Sequence, residues 1–258
     1  MIHDTVILDS RVQLGTDVSI APYTVVDGDV TIGDGCRIGP HCHISAHTQI
    51  GSGSRIHAGA VVGGEPQDFS YNGEVTYTRI GANCHIREYA TIHRGAIEES
   101  STTIGDDVMI MAFAHVGHNC IIADGVVLVN GVELAGHVEI GRRTFISSGT
   151  KIHQFVRIGA IAMLDGDLHI RQDVAPYCMI VEDGVVGPNT VGLRRDGMSA
   201  EDRSAVKTAI RYLAFEGLTQ AEALAQIDDD DVDSAAVSAF AEFIRSSKRG
   251  VMRSRRTK

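Results

Sequence analysis

Tryptophan is absent from this chain of 258 residues, and aromatic residues of all kinds make up only 5% of it. Any core it builds is therefore aliphatic. Proline is scarce, at 5 residues, so little of the backbone is barred from a hydrogen-bonded ladder. No apolar run approaches the ~18–20 residues that a membrane-spanning helix needs, and no integral membrane segment is expected. The start, Met1-Ile2-His3-Asp4, lacks a basic stretch followed by an apolar one, so no secretory signal is read there. Cysteine is limited to 5 residues with no CxxC spacing. That provides no zinc framework and points to a reducing compartment, with the cytoplasm as the expected location. Positive charge is in deficit: the net charge is −10, which argues against a nucleic-acid partner. Nucleophile elbow, GxGxxG and P-loop are missing as well.

What the chain does have is a period. Every sixth residue from Leu8 is aliphatic, through Leu14, Ile20, Val26, Ile32, Ile38 and onward to Leu164 and Ile170. The grid fails only at Asp68, Glu74 and Glu98. Neither a helix nor a simple alternating strand has period six; hexapeptide repeats are the signature of a parallel β-helix. Two residues before the aliphatic sits a small or β-branched side chain, such as Val30, Cys36, Cys42, Cys84, Ala114 and Cys120, and glycine often follows it, as at Gly33, Gly51, Gly105 and Gly159. The large residue is expected to fill each coil, the small one to fit where a corner crowds inward, and glycine to supply an unusual backbone. The cysteines of the small column then act as buried hydrophobes.

Where the grid fails, chain must leave the coil. The expected loops are 63–79 and 94–103, and loops projecting from a rigid solenoid are where binding groups sit. After Ile170 the repeat ends at Asp173-Val174-Ala175-Pro176-Tyr177, and 184–197 reads as an irregular connection. Helices follow. Ser199-x-x-Asp202 and Thr219-x-x-Glu222 have capping-box spacing, with apolar faces at Val206, Ile210 and Leu213, then Leu224 and Ile227, then Val237, Phe240, Phe243 and Ile244. The expected division is a β-helix over 1–185 and a small α-helical domain over 186–258. The end is basic: Arg245, Lys248, Arg249, Arg253, Arg255, Arg256 and Lys258.

Histidines are the chemically loaded residues. His115, His118, His137 and His153 fall off the inward grid slots, so they face outward or sit at corners. With coils of about eighteen residues, His118, His137 and His153 are expected to line one vertical strip. Imidazoles in a groove suit general-base work, since histidine titrates near neutrality. Metal binding and plain surface histidines remain the other readings of the residues alone. No Ser, Cys or Lys is placed for a covalent intermediate, which favours direct transfer from a bound donor.

Several longer words narrow this further: Gly64-Glu65-Pro66-Gln67-Asp68, Thr91-Ile92-His93-Arg94-Gly95, His115-Val116-Gly117-His118-Asn119-Cys120, Leu134-Ala135-Gly136-His137-Val138, His153-Gln154-Phe155, Gln172-Asp173-Val174-Ala175-Pro176-Tyr177 and Asn189-Thr190-Val191-Gly192-Leu193-Arg194-Arg195. With them the chain resembles the UDP-N-acetylglucosamine O-acyltransferases of the lipid A pathway over nearly its whole length. The resemblance implies a left-handed coil and a homotrimer with active sites between subunits. It implies transfer of a 3-hydroxyacyl chain from acyl carrier protein to the 3-hydroxyl of the UDP-sugar, with no cofactor and no metal. Carried over residue by residue, His118 is the general base and the Gly136 amide holds the oxyanion. Asp68, His115, His137 and Gln154 contact the sugar or the acyl carbonyl region. Asn189 meets the nucleotide and Arg195 its phosphates. Met163 and Gly166 lie where acyl length is gauged, and the basic end helps dock the acidic carrier.

The chain departs from the family pattern at Ser70, where a lysine is usual, at Val191, where a glutamate often stands, and at Asp165 and Asp167, which flank Gly166. These departures frame the alternative: another nucleotide amino sugar, or a short or coenzyme A-linked acyl donor. A zinc hydratase on the same fold and a pure binding scaffold are the readings from other classes.

Overall fold

A computed structural model describes residues 1–254. Arg255, Arg256 and Lys258 of the basic end lie outside the described residues. The repeat is realised as two-residue strands joined by tight corners, with every third strand stacking in parallel on the same face. Face one begins with Ile7–Leu8, face two with Gln13–Leu14 and face three with Ser19–Ile20. One full coil advances 18 residues, as in the pairing of His115 with Glu133 and of Glu133 with Lys151. The period-six aliphatics point inward. Ile32, Ile44, Ile86, Ile92, Ile110, Leu128 and Leu134 are wholly buried in one continuous column.

The small column behaves as the sequence predicts. Cys36, Cys84 and Cys120 have no exposed surface, and their thiols donate to carbonyls of the next coil, as Cys120 Sγ does to Ala135 O at 3.2 Å. Burial pushes the Cys120 thiol up to about 12, so it is inert as a nucleophile. All five cysteines are buried and unpaired.

The glycine expectation needs correcting. Gly51 and Gly159, which follow an inward aliphatic, do not have a positive φ. A Cβ at Gly51 would lie 2.4 Å from the carbonyl carbon of Gly81, and one at Gly159 would lie 2.4 Å from the Pro176 nitrogen. Close approach of adjacent coils, not backbone strain, excludes a side chain there. The left-handed conformation sits instead three residues before the aliphatic. Asp29, His41, Asn83, Phe113, Asn119, His137 and Phe155 all have φ near +60°. Asn, Asp and His tolerate that region best.

Face three is closed by an antiparallel hairpin of Cys178–Val181 and Gly184–Pro188. The second of these strands runs across the expected boundary at 185/186. The segment read as irregular connection is therefore this strand and a short helix, α1 (Thr190–Arg195). Three helices follow: α2 (Ala200–Ala214), α3 (Gln220–Asp229) and α4 (Ala235–Arg245). Thr219 and Glu222 form a full capping box. Ser199 caps α2, but the Asp202 carboxylate accepts from the Ser199 and Ser234 hydroxyls rather than from the cap backbone. Residues after α4 return to the coil, where Met252 N–H donates to Asp173 O and Asp173 N–H to Gly250 O. Arg253 donates through Nε to Leu213 O at 2.8 Å and through Nη2 to Leu218 O, so its charge clamps the helical domain rather than standing free for a partner.

Candidate active site

Both departures from the grid leave the coil at the same corner. Val61–Gly64 and Thr91–His93 are face-one strands, and Tyr77–Ile80 and Ser101–Ile104 are the face-two strands that follow them. The excursions between them therefore rise from the one-to-two corner, the corner that also carries His118 and His137. Neither excursion has an internal period; each is held by specific contacts.

The second excursion sets the tautomer of His118. Ala96 N–H donates to Asn119 Oδ1 at 2.9 Å, which makes that oxygen an acceptor. His118 Nδ1 lies 3.0 Å from the same oxygen and so must carry the ring proton. The lone pair of Nε2 then faces outward, a tautomer suited to a general base.

The first excursion brings a carboxylate to it. Asp68 Oδ2 is 3.5 Å from His118 Nε2. The N–H and the hydroxyl of Ser70 both donate to Asp68 Oδ1, at 2.9 and 2.8 Å, and these bonds hold the carboxyl below the usual carboxylate range. Ser70, a departure from the family pattern, thus orients Asp68. The loop is fastened from below by Arg94, only 13% exposed, which donates through Nη2 to Tyr71 Oη at 2.8 Å and pairs with Glu65 at 3.3 Å. Tyr71 N–H in turn donates to Asp68 O at 3.1 Å.

This chain of contacts makes Tyr71 a positioning residue. Tyr71→Phe is expected to lower kcat/KM about tenfold, the scale of one hydrogen bond to a charged group. In an Asp68→Ala background the same change is expected to cost almost nothing. A double-mutant cycle reads the difference, and additive losses would show that Tyr71 does not act through Asp68.

The Gly136 backbone lies beneath the His118 ring. A Cβ there would be 2.5 Å from His118 Nε2, so the imidazole rests over a position that only glycine leaves open. Among the described residues the Gly136 N–H donates to no acceptor. An imidazole nitrogen and an unpaired backbone amide thus lie in adjacent coils of one corner, the two kinds of group that acyl transfer uses. His137 packs edge-on against His118 at 5.2 Å and stacks on Phe155 at 4.6 Å. Burial holds His137 and His115 below the usual histidine range. Thr91 Oγ1 bonds His115 Nδ1 at 2.8 Å.

The predicted strip of histidines divides. The 18-residue register puts Gly136 and then Gln154 under His118, and His137 and then Phe155 under Asn119. His153 directly follows the face-one strand Lys151–Ile152, one position before Gln154, with its Nδ1 3.3 Å from Arg249 Nη2. Gln154 is exposed in the His118 column. Arg94 and Tyr71 are not among the site residues expected from sequence, nor is Asn119, which stands out there only as the residue after His118, nor His93, whose ring packs 4.7 Å from His115 and is held down at about 4 by burial. The available signals were the Asn directly after the base and the one cation in the second excursion.

The remaining predicted residues lie elsewhere on the prism. Asn189 caps α1, accepting from Gly192 N–H and donating to Ile161 O at 2.8 Å. Ile161 is at the two-to-three corner. Arg195 is exposed at the end of α1, without an ion-pair partner among the described residues. Met163 lies on face three, in register with Met109, Val127, Phe145 and Met179. Gly166 follows at the three-to-one corner; the Asp165 carboxylate accepts from its N–H at 2.9 Å. A single chain does not bring these residues to His118.

A family described as Udp N-acetylglucosamine O-acyltransferase, Domain 2, matches residues 173–252, and one described as bacterial transferase hexapeptide matches residues 29–64 and 101–136. The chain is 43% identical over 202 residues to the acyl-[acyl-carrier-protein]–UDP-N-acetylglucosamine O-acyltransferase of Burkholderia orbicola, covering 75% of this chain and 77% of that one. The protein of the same name from Burkholderia thailandensis is 41% identical over the same shares. The UDP-N-acetylglucosamine acyltransferase of Bacteroides fragilis superposes with TM-score 0.94 at 33% identity, over 97% of this chain and 99% of that one. That of Francisella novicida also gives 0.94 at 33%, over 98% and 94%. The coil has the left hand of these relatives.

Proposed function

The chain belongs to the UDP-N-acetylglucosamine O-acyltransferase family, and from that premise we propose how its residues carry out the transfer. The reaction is that of a lipid A pathway acyltransferase, moving an acyl group from acyl carrier protein to UDP-N-acetylglucosamine. The sugar 3-hydroxyl gives its proton to His118 Nε2 while its oxygen attacks the thioester carbonyl. The Gly136 N–H donates to the oxyanion. As the intermediate collapses, the imidazolium returns the proton to the departing sulfur. Asp68, 3.5 Å away, stabilises the imidazolium and keeps an oxygen free for a sugar hydroxyl. His115, His137 and Gln154 line the acceptor and carbonyl region. No cofactor is called on. The observation that carries this reading is the aimed Nε2 above an unpaired backbone amide.

The acyl chain is assigned to face three. Met109, Val127, Phe145 and Met163 form an apolar ladder in register that reaches Gly166, and an apolar chain gains roughly 0.8 kcal/mol per buried methylene there. Asp165 turns back onto the Gly166 amide, which leaves the ladder apolar and supports a 3-hydroxyacyl chain over a short acyl group. This ladder, with Asn189 and Arg195, belongs to other edges of the prism than His118. A homotrimer that sets one chain's one-to-two corner against its neighbour's face three unites them, with Arg195 at the nucleotide phosphates and α1, led by Asn189, at the nucleotide. Phe69, Phe113 and Phe155 are more than half exposed on a single chain, which fits corners that a neighbour covers. Five buried, unpaired thiols suit a cytoplasmic enzyme.

Sedimentation is expected to give a particle near three times 27.6 kDa. Incubation with UDP-N-acetylglucosamine and a ladder of acyl carrier thioesters is expected to yield a product heavier by a 3-hydroxyacyl group. A monomer at micromolar concentration would remove the shared cleft. Product from coenzyme A thioesters alone would favour the alternative donor.

A further inference from the structure

A cavity of about 660 Å3 opens next to His137, from the one-to-two corner onto face two. His137 and Phe155 form its wall toward the catalytic residues, and Arg157, Lys248 and Arg249 line its far side. The charges in it are unequal in availability. The Asp173 carboxylate is 1% exposed and already accepts from Arg157 N–H and the Ser247 hydroxyl, each at 2.8 Å. Glu139 lies 3.6 Å from Arg157 Nε. Arg157 is also stacked on Phe243 at 4.4 Å. Lys248 is exposed and has no ion-pair partner among the described residues. Arg249 is anchored by a bond from Nε to Arg171 O at 3.2 Å and by contact with His153, yet no carboxylate pairs with it among the described residues. The segment that carries both cations is stitched to the coil by the backbone bonds between Gly250, Met252 and Asp173. Two cations are thus held, without counter-charges, on a fixed strap.

Their distance from the chemistry follows from the coil. Arg171 is two coils beyond Ala135, and adjacent strands are about 4.8 Å apart. Arg249 therefore sits roughly 10 Å along the corner from the Gly136 amide. An acyl carrier protein presents its acyl group as a thioester on an arm that passes through two amides to a phosphodiester. A thioester placed over Gly136 directs that arm along the corner and over Phe155, toward the strap. We propose that Lys248 and Arg249 form a binding site for the phosphodiester of the donor's arm. The site rests on the acyl-carrier reading above and adds to it a contact with the donor's anion. Two unpaired cations on an anchored strap are opposite in sign to a phosphodiester and offer several hydrogen-bond donors to its oxygens.

The test uses the full-length enzyme and three donors bearing one acyl chain: acyl carrier protein, acyl-phosphopantetheine, and acyl-pantetheine, which lacks the phosphate. Wild-type turnover of the carrier-protein thioester is measured first, and its absence would count against the donor reading itself. The wild type is expected to prefer the phosphate-bearing small donor by about tenfold in kcat/KM, the scale of one charge-assisted contact. In Lys248→Ala and in Lys248→Ala/Arg249→Ala that preference is expected to fall toward one, through KM, with melting temperature checked in each. Lys248→Arg is expected to restore it. A wild type indifferent to the phosphate, or a preference that survives both variants, overturns the proposal. A rise in KM for the UDP-sugar instead of the donor would assign the cations to the nucleotide diphosphate and overturn it equally.

Discussion

His118→Ala is expected to lower kcat by roughly 10²–10⁴-fold, the range that a positioned general base contributes. The ring lies outside the coil and its Nδ1 makes one hydrogen bond, to Asn119. Losing that bond costs about 1 kcal/mol, which for a chain of this size moves the melting temperature by roughly 2–4 °C. Activity and stability should therefore separate cleanly. Asn119→Ala is a useful companion: it leaves the imidazole in place but removes the acceptor that holds the proton on Nδ1. Single-turnover assays with saturating donor report the chemical step directly. A His118→Ala enzyme within threefold of wild type would mean that another group takes the hydroxyl proton.

Gly136→Ala is expected to cost on the order of 10²-fold in kcat for a different reason. The residue does not have a positive φ, so alanine is tolerated by the backbone, and the amide that would hold the oxyanion is retained. The added Cβ, however, would sit 2.5 Å from His118 Nε2. The obstacle is the far end of a side chain, so the imidazole swings away while the coil stays intact. A displacement of about 1 Å at a reacting group is enough for a loss of that order. Stability should hold or rise slightly, since replacing glycine at a compatible site stabilises by roughly 0.4–1 kcal/mol through the unfolded chain. The double variant with His118→Ala is the decisive comparison. Once the imidazole is gone, the extra methyl should cost little more, and full additivity would show that the methyl blocks something other than the base.

These expectations draw on sequence and structure in different measure. Ile32, Ile86 and Leu134 fill the coil because a period of six puts them on one inward line, and that line needs no partner beyond the next turn of the same repeat. The inward thiols of Cys36, Cys84 and Cys120 follow from the same arithmetic, as do the caps at Ser199 and Thr219, which are set within four residues. The reason for glycine was less legible. That Gly51 must lack a side chain depends on the backbone of Gly81, thirty positions on and separated from it by an excursion of no fixed length. The histidine strip divides for a related cause: spacings of nineteen and sixteen look near enough to a coil, but the coils from His115 to His169 pair at eighteen, which places Gly136 and Gln154 under His118 and leaves His153 one position short of that column.

By itself, then, the sequence determined everything that repeats: the coil, its aliphatic interior, its small inward column, and the points where chain must leave it. Its longer words also carried the family. Only the tertiary structure decided how the excursions meet. Nothing periodic relates Asp68, Ala96 and His118, because an excursion has no interior to match and takes its course from the surface it lands on. That course is set by the bond from Arg94 to Tyr71, which steadies the turn of Asp68, and by the bond from Ala96 to Asn119, which fixes where the proton sits on His118. The first joins two side chains and the second a backbone N–H to a side chain; both are directional contacts brought together only when the coils stack, and their geometry is a property of the folded corner.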